Sequence, residues 1–336
     1  MADTTRLFVL RERPKGALDA RTLELTTRPR PSPAAGEALV RTRWLSIDPT
    51  NRTWMDPVDG YLPALELGEP MRGIGTGEVI ASETDALPVG AHVSGMLGFA
   101  EHAIVRPEEV TRLGPHDDPK LAVGPLGHIG ATAWFGLTEV GRPEAGETVL
   151  VSAAAGATGS MVAQIAKKLG CRVIGTAGSD AKCAWLQDAL GLDGVIHYRK
   201  EALDGAIARH APDGVDIYWD NVGGPLLDAA LAQLALGGRV VLCGGISQYN
   251  AERPVGPAAY LHLIRQRARM EGFLVLDYLP RLEEARSAIG PWLEDGTLRF
   301  AWHEVDGLAK APEALGLLFS GEHEGKVVVK VAEASR

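Results

Sequence analysis

One stretch of this chain constrains its fold more than any other: an apolar run of strand length at residues 148–152, followed by small residues at 153–160. After them, apolar side chains recur at the spacing of a helix that packs on one face. A strand, a tight turn and a helix present unpaired N–H groups and a positive dipole end to an anion. Here Gly156 predicts close backbone approach to a pyrophosphate, and Gly159 predicts close packing of the helix start on the strand. Ala154 replaces the first glycine of the usual pattern, so an ordinary strand-to-helix turn remains the alternative.

The alternation of strand and helix continues along the central part of the chain. The strands are apolar throughout, which is typical of a parallel sheet covered by helices on both faces. We therefore predict an α/β fold with a doubly wound, parallel six-stranded sheet and right-handed crossovers. The predicted strands are 148–152, 172–176, 194–197, 215–220, 239–243 and 272–276, and the predicted helices are 160–169, 180–190, 201–210, 225–236, 259–269 and 281–294.

The N-terminal part of the chain has a different texture, rich in glycine, proline and short strand-like runs, which predicts a compact β domain. The C-terminal segments 297–302 and 325–331 are strand-like again, and we expect them to rejoin that domain. The predicted domains are therefore 1–123 with 297–336, and 124–296. The N-terminal strands are predicted at 37–45, 73–81, 90–96 and 100–105.

Charge and composition argue against several kinds of partner. The net charge of −9 argues against nucleic acid or an anionic membrane as the main partner. No apolar run reaches the length of a membrane-spanning helix, and the first residues do not resemble a signal peptide. Cys171, Cys183 and Cys243 form no close-spaced framework, so we expect a reduced, cytoplasmic protein with inert thiols.

The end of the second predicted strand of the sheet indicates which cofactor is preferred. An NAD site usually carries Asp or Glu there, but this strand ends in Ala-Gly-Ser at 177–179. Asp180 follows too late and belongs to the first turn of the next helix. Lys182 lies one turn into that helix, where its ammonium can reach a 2′-phosphate, although a solvated surface lysine is the alternative. The pattern favours NADP over NAD.

The sequence argues against a catalytic zinc site and against a serine nucleophile. A catalytic zinc needs thiolate and imidazole ligands, yet the first 123 residues contain no cysteine. His92, His102 and His116 lack a paired ligand pattern, and His128 fits a structural role better than an acid/base role. No G-x-S-x-G spacing surrounds the serines at 152 and 160. We predict that no metal takes part.

Several short motifs, in a fixed order along nearly the whole chain, together point to one family. The motifs are LSIDP at 45–49 with Arg52, LGEPM at 67–71, AAGATGS at 154–160, QIAK at 164–167, GSDAK at 178–182, DNVGG at 220–224 and CGGISQYN at 243–250. With these motifs the sequence resembles the zinc-independent medium-chain dehydrogenase/reductases, in particular the NADP-dependent alkenal double-bond reductase group of prostaglandin/leukotriene, plant double-bond and bacterial curcumin reductases.

The resemblance implies a GroES-like β-rich domain interrupted by a Rossmann domain, with NADPH in the cleft between them. Two implied contacts have plain alternatives: Tyr198 can simply end a strand, and residues 273–275 can be core. The implied contacts are Gly156, Ala157, Thr158 and Gly159 for the pyrophosphate; Gly178, Ser179, Lys182 and Tyr198 for the adenosine phosphate end; and Asn221, Cys243, Gly244, Ile246, Ser247, Tyr249, Phe273, Leu274 and Val275 for the ribose and nicotinamide.

The chain departs from the family pattern at two positions. Some members carry a tyrosine before the segment at 270–273, where this chain has Arg265. The C-terminal cofactor contact, often an asparagine before Gly-Lys, falls on His323. The first departure weakens any transferred tyrosine, and the second leaves His323 as a candidate contact.

The resulting expectation is an NADPH-dependent reductase of the C=C bond in α,β-unsaturated ketones or aldehydes, with hydride transfer to the β-carbon and no metal. Tyr61 and Tyr249 are the candidates for holding the substrate carbonyl. A phenol with an ordinary pKa of about 10 stays protonated at neutral pH and can donate a hydrogen bond to an enolate oxygen. Either tyrosine can instead be a wall of the site, and the final proton can come from solvent or a cofactor ribose hydroxyl.

Three alternatives and two further expectations complete the prediction. The same fold can reduce quinones or enoyl thioesters, and an NADPH-binding protein without turnover is the alternative of another class. The expected partner is a small enone or enal, with neither nucleic acid nor a membrane. A homodimer is expected through the last Rossmann strand, predicted at 272–276.

Overall fold

The computed structural model describes residues 3–58, 60–114 and 116–331, and within them the chain divides into two compact units. The first unit comprises the chain up to Gly124 and from Trp302 onward, and the second is Pro125–Ala301. The predicted boundary at residue 297 lies five residues before Trp302, where the C-terminal part of the first unit and its strand begin. Residues 332–336 of the predicted first domain lie outside the described residues.

The strands and helices are as follows. The strands are β1 (Thr4–Leu10), β2 (Leu23–Pro29), β3 (Ala38–Ser46), β4 (Ile74–Ser82), β5 (His92–Met96), β6 (His102–Val105), β7 (Val110–Arg112), β8 (Thr148–Val151), β9 (Arg172–Ala177), β10 (Gly194–His197), β11 (Val215–Asp220), β12 (Leu234–Leu242), β13 (Arg269–Gly272), β14 (Trp302–Asp306) and β15 (Lys326–Lys330). The helices are α1 (Thr50–Thr53), α2 (His128–Phe135), α3 (Ala157–Lys168), α4 (Asp180–Ala184), α5 (Leu203–His210), α6 (Gly224–Ala232), α7 (His262–Gln266), α8 (Leu282–Glu294) and α9 (Ala311–Ser320).

The second unit contains a six-stranded sheet in the order β10-β9-β8-β11-β12-β13, with every neighbouring pair parallel. This order confirms the predicted doubly wound Rossmann sheet. Strand β8 shows why its sequence is apolar throughout. Val149 and Val151 are buried in one hydrophobic core and Leu150 is buried in another. Successive side chains of a strand point to opposite faces, so both faces of this strand are covered.

The first unit is β-rich, as predicted. Its larger sheet runs β14-β15-β3-β4-β5-β7, with β6 paired to β3, and β1 and β2 form a separate antiparallel pair. The glycines of β4 permit close strand packing, because a Cβ at Gly77 would lie 2.4 Å from the backbone oxygen of Arg41. The sequence did not predict the β1–β2 pair or helix α9.

The edge strand of the Rossmann sheet was predicted too late in the chain. It was expected at 272–276, but β13 ends at Gly272, and residues 275–281 wind into 3₁₀ turns. The apolar residues 272–276 contribute to packing instead, because Phe273 contacts Trp219 and Tyr278.

Helix α2 was also not predicted from the sequence, because its residues are apolar on all sides. Such a helix lacks the one-sided pattern by which a surface helix is recognised.

Two helices are shorter than predicted. Helix α7 covers only His262–Gln266 of the predicted 259–269, and the chain adopts a left-handed conformation at Arg267, which ends the helix. Helix α6 ends at Ala232, because β12 already begins at Leu234.

Among the described residues, no helix has the length and apolar character needed to cross a membrane.

Candidate cofactor and substrate site

The cofactor residues predicted in the second unit all follow the carboxyl ends of its parallel strands. The small residues 153–160 follow β8, Gly178 and Ser179 follow β9, Tyr198 follows β10, and Asn221 follows β11. The loop 243–249 follows β12, and residues 273–275 follow β13. Parallel strands end at one edge of a sheet, so the topology brings these segments to the same edge. Strands β8 and β11 are neighbours there, at the point where the strand order reverses and ligands of doubly wound folds bind.

The turn after β8 is tight and leads directly into α3. Ala153 adopts a left-handed conformation (φ 47°), and its oxygen accepts a hydrogen bond from the N–H of Gly156 at 2.9 Å. A Cβ at Gly159 would lie 2.3 Å from the same oxygen, so only glycine allows the close packing of helix on strand that was expected here. Gly156 is the N-cap of α3 and gives it no side-chain cap. The first-turn N–H groups therefore face outward at the positive end of the helix, an arrangement suited to a pyrophosphate.

The ends of β9 and β10 form a second part of this edge. A Cβ at Gly178 would lie 2.4 Å from the hydroxyl oxygen of Tyr198, so the phenol covers the backbone of the glycine. Ser179 is the N-cap of α4, where its Oγ accepts a hydrogen bond from the N–H of Lys182. Asp180 is the first residue of α4, as predicted. The ends of β9 and β10 therefore carry a glycine, a serine and an aromatic ring, with no acid before Asp180.

The charges around this corner suit an anion. Lys200 donates to both carboxylate oxygens of Asp180 at 2.6 and 2.7 Å, and this hydrogen bonding lowers the pKa of the Asp180 carboxyl. The Arg199 guanidinium lies 5.8 Å from the centre of the Tyr198 ring. Besides the Lys200–Asp180 pair, Arg199 and Lys182 on α4 supply two further cations, so the residues fit the extra phosphate that distinguishes NADP from NAD.

At the switch point, side chains tie β8 to β11. Asn221 donates from Nδ2 to the backbone oxygen of Ser152 at 2.7 Å, and its Oδ1 accepts from Trp219 Nε1 at 3.0 Å. The Ser152 hydroxyl accepts from the N–H of Asn221 at 2.7 Å. Asn221 is thus fixed in orientation at the centre of the edge. The sequence singled out Asn221 but not Ser152, because the two are 69 residues apart.

Asp220 shapes the turn that follows β11. Its Oδ1 accepts from the N–H groups of Val222 and Gly223, both at 2.9 Å, and from the Tyr218 hydroxyl at 2.8 Å. The side chain is fully buried, and burial raises the pKa of the Asp220 carboxyl. From the sequence, Asp220 was recognised only as part of the motif at 220–224, and its turn-forming role was not predicted.

The loop 243–249 after β12 is fastened to the end of β11. The N–H groups of Cys243 and Gly244 donate to the backbone oxygen of Asp220 at 2.9 and 3.0 Å. The Ile246 N–H donates to the backbone oxygen of Asn221 at 3.2 Å. Ser247 donates from its hydroxyl to the backbone oxygen of Val222 at 2.6 Å. These bonds hold the predicted ribose- and nicotinamide-lining loop beside Asn221.

Two side chains near this loop have defined environments. The Tyr249 hydroxyl accepts a hydrogen bond from the N–H of Gly245 at 3.1 Å, so the ring folds back over its own loop. Burial raises the pKa of the Cys243 thiol to about 12, and that of the Cys171 thiol to about 11, which leaves both thiols protonated and unreactive at neutral pH.

Phe273, the first residue of the segment 273–275, packs against other side chains of the second unit. The Phe273 ring is 5.8 Å from the Trp219 ring, and a Cβ at Gly136 would lie 2.3 Å from the Phe273 Cζ. The half-buried ring therefore packs against the core, and its role as a cofactor contact stays a prediction. Leu274 and Val275 continue from it at the carboxyl end of β13.

In the first unit, Tyr61 is close to α1. Its ring is 47% exposed, its hydroxyl oxygen accepts from Trp54 Nε1 at 3.0 Å, and it forms a hydrogen bond with the Thr50 hydroxyl. His323 Nδ1 lies 3.1 Å from the backbone oxygen of Gly325, and Arg265 lies exposed on α7 of the second unit.

A buried ion pair, not predicted from the sequence, underlies the segment that leads into α1. Lys326 of β15 donates from Nζ to Asp48 Oδ1 and to the backbone oxygen of Ile47, both at 2.6 Å. Ser46 donates to the other Asp48 oxygen at 2.5 Å. Burial lowers the pKa of the Lys326 ammonium, and the Asp48 carboxylate opposes that shift.

Within the described part of the chain, no group of three or more His, Cys, Asp and Glu side chains is placed to hold a metal ion.

A Rossmann sheet whose carboxyl edge has an uncapped helix N-terminus and a cationic corner is typical of a protein that binds a dinucleotide, as the dinucleotide-dependent oxidoreductases do. Two families of known proteins match this chain, and both are families of oxidoreductases. Residues 6–113 match the family described as the N-terminal domain of oxidoreductase, and residues 157–289 match the family described as zinc-binding dehydrogenase.

Individual relatives define the group within this class. The chain is 41% identical to the NADP⁺-dependent 2-alkenal reductase of Nicotiana tabacum, covering 89% of this chain and 88% of the relative. It is 35% identical to the NADPH-dependent curcumin reductase of Escherichia coli, covering 97% of each. The crystal structure of CurA from Vibrio vulnificus in complex with NADPH superposes with a TM-score of 0.93 at 39% identity, covering 98% of this chain and all of the other. The chain belongs to the NADP-dependent double-bond reductase group of the medium-chain dehydrogenase/reductases.

Proposed function

We propose that the protein is an NADPH-dependent reductase of the C=C bond in α,β-unsaturated ketones and aldehydes. The observation that carries the cofactor assignment is the corner at the end of β9, where residues 177–179 contain no acid and Asp180 is accompanied by Lys182, Arg199 and Lys200. The substrate class is supported by full-length similarity to relatives named 2-alkenal reductase and curcumin reductase.

The proposed cofactor contacts follow the geometry of the carboxyl edge. The N–H groups that follow Gly156 bind the pyrophosphate, and Lys182 with Tyr198 binds the 2′-phosphate end. Asn221, the loop 243–249 and the backbone of 273–275 orient the nicotinamide ribose and ring, with His323 as a contact from the C-terminal segment. When bound, NADPH supplies the hydride that goes to the β-carbon of the substrate.

The protein's own task in the reaction is to hold the substrate carbonyl and stabilise the charge that develops on its oxygen. Tyr61 is the stronger candidate, because its phenol is largely exposed and its oxygen is fixed by Trp54. The Tyr249 hydroxyl already accepts from Gly245, so it supports its own loop and is the second candidate. We propose that no zinc takes part, because the chain offers no cysteine before Cys171 to serve as a thiolate ligand in the first unit.

The experiment combines cofactor titration with two matched variants. Fluorescence titration with NADPH and NADH should show tight binding of NADPH only. Turnover at 340 nm should then be measured with an enone, a quinone and an enoyl thioester. Tyr61→Phe is expected to lower kcat with the enone by at least tenfold while NADPH affinity is unchanged. Unchanged turnover in both Tyr61→Phe and Tyr249→Phe would refute the tyrosine assignment. If NADPH is oxidised only when the quinone is present, the substrate class is quinones and not enones.

We further propose a cytoplasmic homodimer. β13 is an edge strand of the described Rossmann sheet, and beside it in sequence the side chains of Tyr260, Leu261 and Ile264 are 55%, 53% and 74% exposed. An edge strand with apolar neighbours is a suitable surface for a second copy of the chain. Sedimentation analysis should give twice the monomer mass, and Ile264→Asp should shift the protein to monomer. A wild-type monomer at micromolar concentration would contradict the proposal.

A further inference from the structure

The Tyr61 phenol is anchored by two side chains from a single short segment. Trp54 Nε1 lies 3.0 Å from the Tyr61 hydroxyl oxygen, and Thr50 forms a hydrogen bond with the same hydroxyl. An indole N–H can only donate, so the phenol oxygen must accept from Trp54. Trp54 is 9% exposed and Tyr61 is 47% exposed, so a buried donor fixes the oxygen of an accessible phenol.

The hydrogen bond between Thr50 and Tyr61 can run in either direction, because both groups are hydroxyls. When Thr50 accepts, the phenolic hydrogen of Tyr61 is donated to Thr50 and is not available to the substrate. When Thr50 donates, the Tyr61 oxygen receives two hydrogen bonds, and its own hydrogen is released toward an incoming acceptor. Rotation of the two hydroxyl hydrogens thus switches Tyr61 into a donor without moving its ring.

The segment that carries Thr50 and Trp54 rests on a buried polar base. Asp48 is held by Lys326 and Ser46, as described above, and its N–H donates to Asn51 Oδ1 at 2.8 Å. Arg52 is 3% exposed and donates to the backbone oxygen of Gly16 at 3.1 Å. The residues on either side of Thr50 are therefore fixed, which keeps its hydroxyl within reach of Tyr61.

We propose that Trp54 is a positioning residue for the Tyr61 phenol and that the Thr50 hydroxyl returns the proton that Tyr61 delivers. These roles rest on the proposed function, in which Tyr61 holds the substrate carbonyl. When hydride adds to the β-carbon, the electron pair of the C=C bond forms a new double bond between the α-carbon and the carbonyl carbon. The electron pair of the C=O bond then moves to the oxygen, which gives an enolate. Tyr61 gives its proton to that oxygen and leaves an enol. The phenolate formed is stabilised by the Trp54 N–H.

Thr50 restores the phenol in the same pathway. Its hydroxyl proton passes to the Tyr61 oxygen, and a proton from water replaces it on the half-buried Thr50. The enol then tautomerises to the saturated carbonyl compound, so the sum is one hydride and one solvent proton per double bond. Thr53 does not take part in this transfer. Its Oγ1 lies 3.4 Å from Thr50 Oγ1, and it gives its single hydrogen to the backbone oxygen of Thr50 at 2.9 Å.

The test compares Trp54→Phe, Thr50→Val and the control Thr53→Val. Each variant is measured for kcat and KM with an enone, for the solvent deuterium isotope effect on kcat, and for NADPH affinity. A separate readout is the affinity of the NADP⁺-loaded protein for 4-nitrophenolate, which carries a stable anionic oxygen in place of the enolate. Tyr61→Phe serves as the reference in every measurement.

The two roles predict different results. Trp54→Phe should lower kcat about tenfold and weaken 4-nitrophenolate binding severalfold, because the phenol loses the donor that fixes its oxygen. Thr50→Val should lower kcat about tenfold and raise the solvent isotope effect, with 4-nitrophenolate affinity within about twofold of wild type. Thr53→Val should match wild type in all readouts.

The outcomes separate this inference from the proposed function. If Tyr61→Phe lowers turnover but Thr50→Val and Trp54→Phe do not, the positioning and return roles are wrong and the catalytic role of Tyr61 stands. If Tyr61→Phe leaves turnover unchanged, the underlying assignment of Tyr61 fails. If Trp54→Phe does not fold, the isotope effect and 4-nitrophenolate affinity of Thr50→Val still decide the return role.

Discussion

The two candidate regions of this molecule are built in opposite ways. The cofactor edge of the second unit is made of backbone, with a glycine turn, strand ends and an uncapped helix start that follow one another in the sequence. The Tyr61 region of the first unit is made of side-chain contacts, and its base joins Asp48 to Lys326 across 278 residues. A site made of backbone is sensitive to added volume, whereas a site made of buried polar contacts is sensitive to a lost partner.

The largest effect is expected at the buried ion pair. Lys326→Met leaves the Asp48 carboxylate buried without its cation, which should lower the free energy of unfolding by about 3–5 kcal/mol. Adding Asp48→Asn to this variant should recover part of the loss, because no charge then remains buried. Urea unfolding of the three proteins measures both values. Equal stability of Lys326→Met and wild type would mean that the first unit does not depend on this contact.

The two glycines of the turn after β8 should separate packing from cofactor binding. Gly159→Ala places a Cβ 2.3 Å from the Ala153 oxygen and should lower the free energy of unfolding by about 1–3 kcal/mol. Gly156→Ala places its Cβ at 3.2 Å from that oxygen, so stability should change much less while NADPH affinity falls at least tenfold. Thermal unfolding and NADPH titration of both variants test this. Full NADPH affinity in Gly156→Ala would remove the turn from the cofactor site.

A moderate and selective effect is expected at the cationic corner. Lys182→Gln should raise the Kd for NADPH about tenfold, equivalent to about 1.4 kcal/mol, and leave the weak binding of NADH unchanged. Lys310→Gln, on an exposed position of the first unit, is the matched control for loss of one charge. An equal loss of affinity for NADPH and NADH would show that Lys182 does not contact the 2′-phosphate.

The smallest effect is expected from relief of backbone strain. Ala153 has φ 47°, a conformation that is unfavourable for alanine and free for glycine. Ala153→Gly should raise the free energy of unfolding by about 0.5–1 kcal/mol after the greater freedom of glycine in the unfolded chain is included. Chemical unfolding measures the change, and a destabilised variant would indicate that the methyl group of Ala153 packs favourably enough to outweigh the strain.

The same contrast explains what the sequence could predict. Strands β8 and β11 are buried on both faces, so their apolar runs mark them clearly. Strand β13 lies at an edge and carries the charged Arg269 and Glu271, so the neighbouring apolar run at 272–276 was mistaken for it. Helix α2 escaped prediction because its apolar residues show no polar face.

The candidate site divides along the same line. The glycine turn and the missing acid at the end of β9 are local features, so they can be recognised from neighbouring residues. The contact between Ser152 and Asn221 depends on strand order, which brings together residues far apart in the chain. Trp54 is close to Tyr61 in sequence, but a spacing of seven residues does not by itself predict that the indole N–H donates to the phenol.

The most direct test of the central claim is product analysis of one reaction: NADPH oxidation at 340 nm with a simple α,β-unsaturated ketone, followed by identification of the product by mass spectrometry and NMR. The proposed function predicts enone-dependent oxidation of NADPH but not NADH, and a saturated ketone as the product. Formation of the allylic alcohol, or no oxidation with enones at saturating NADPH, would contradict it.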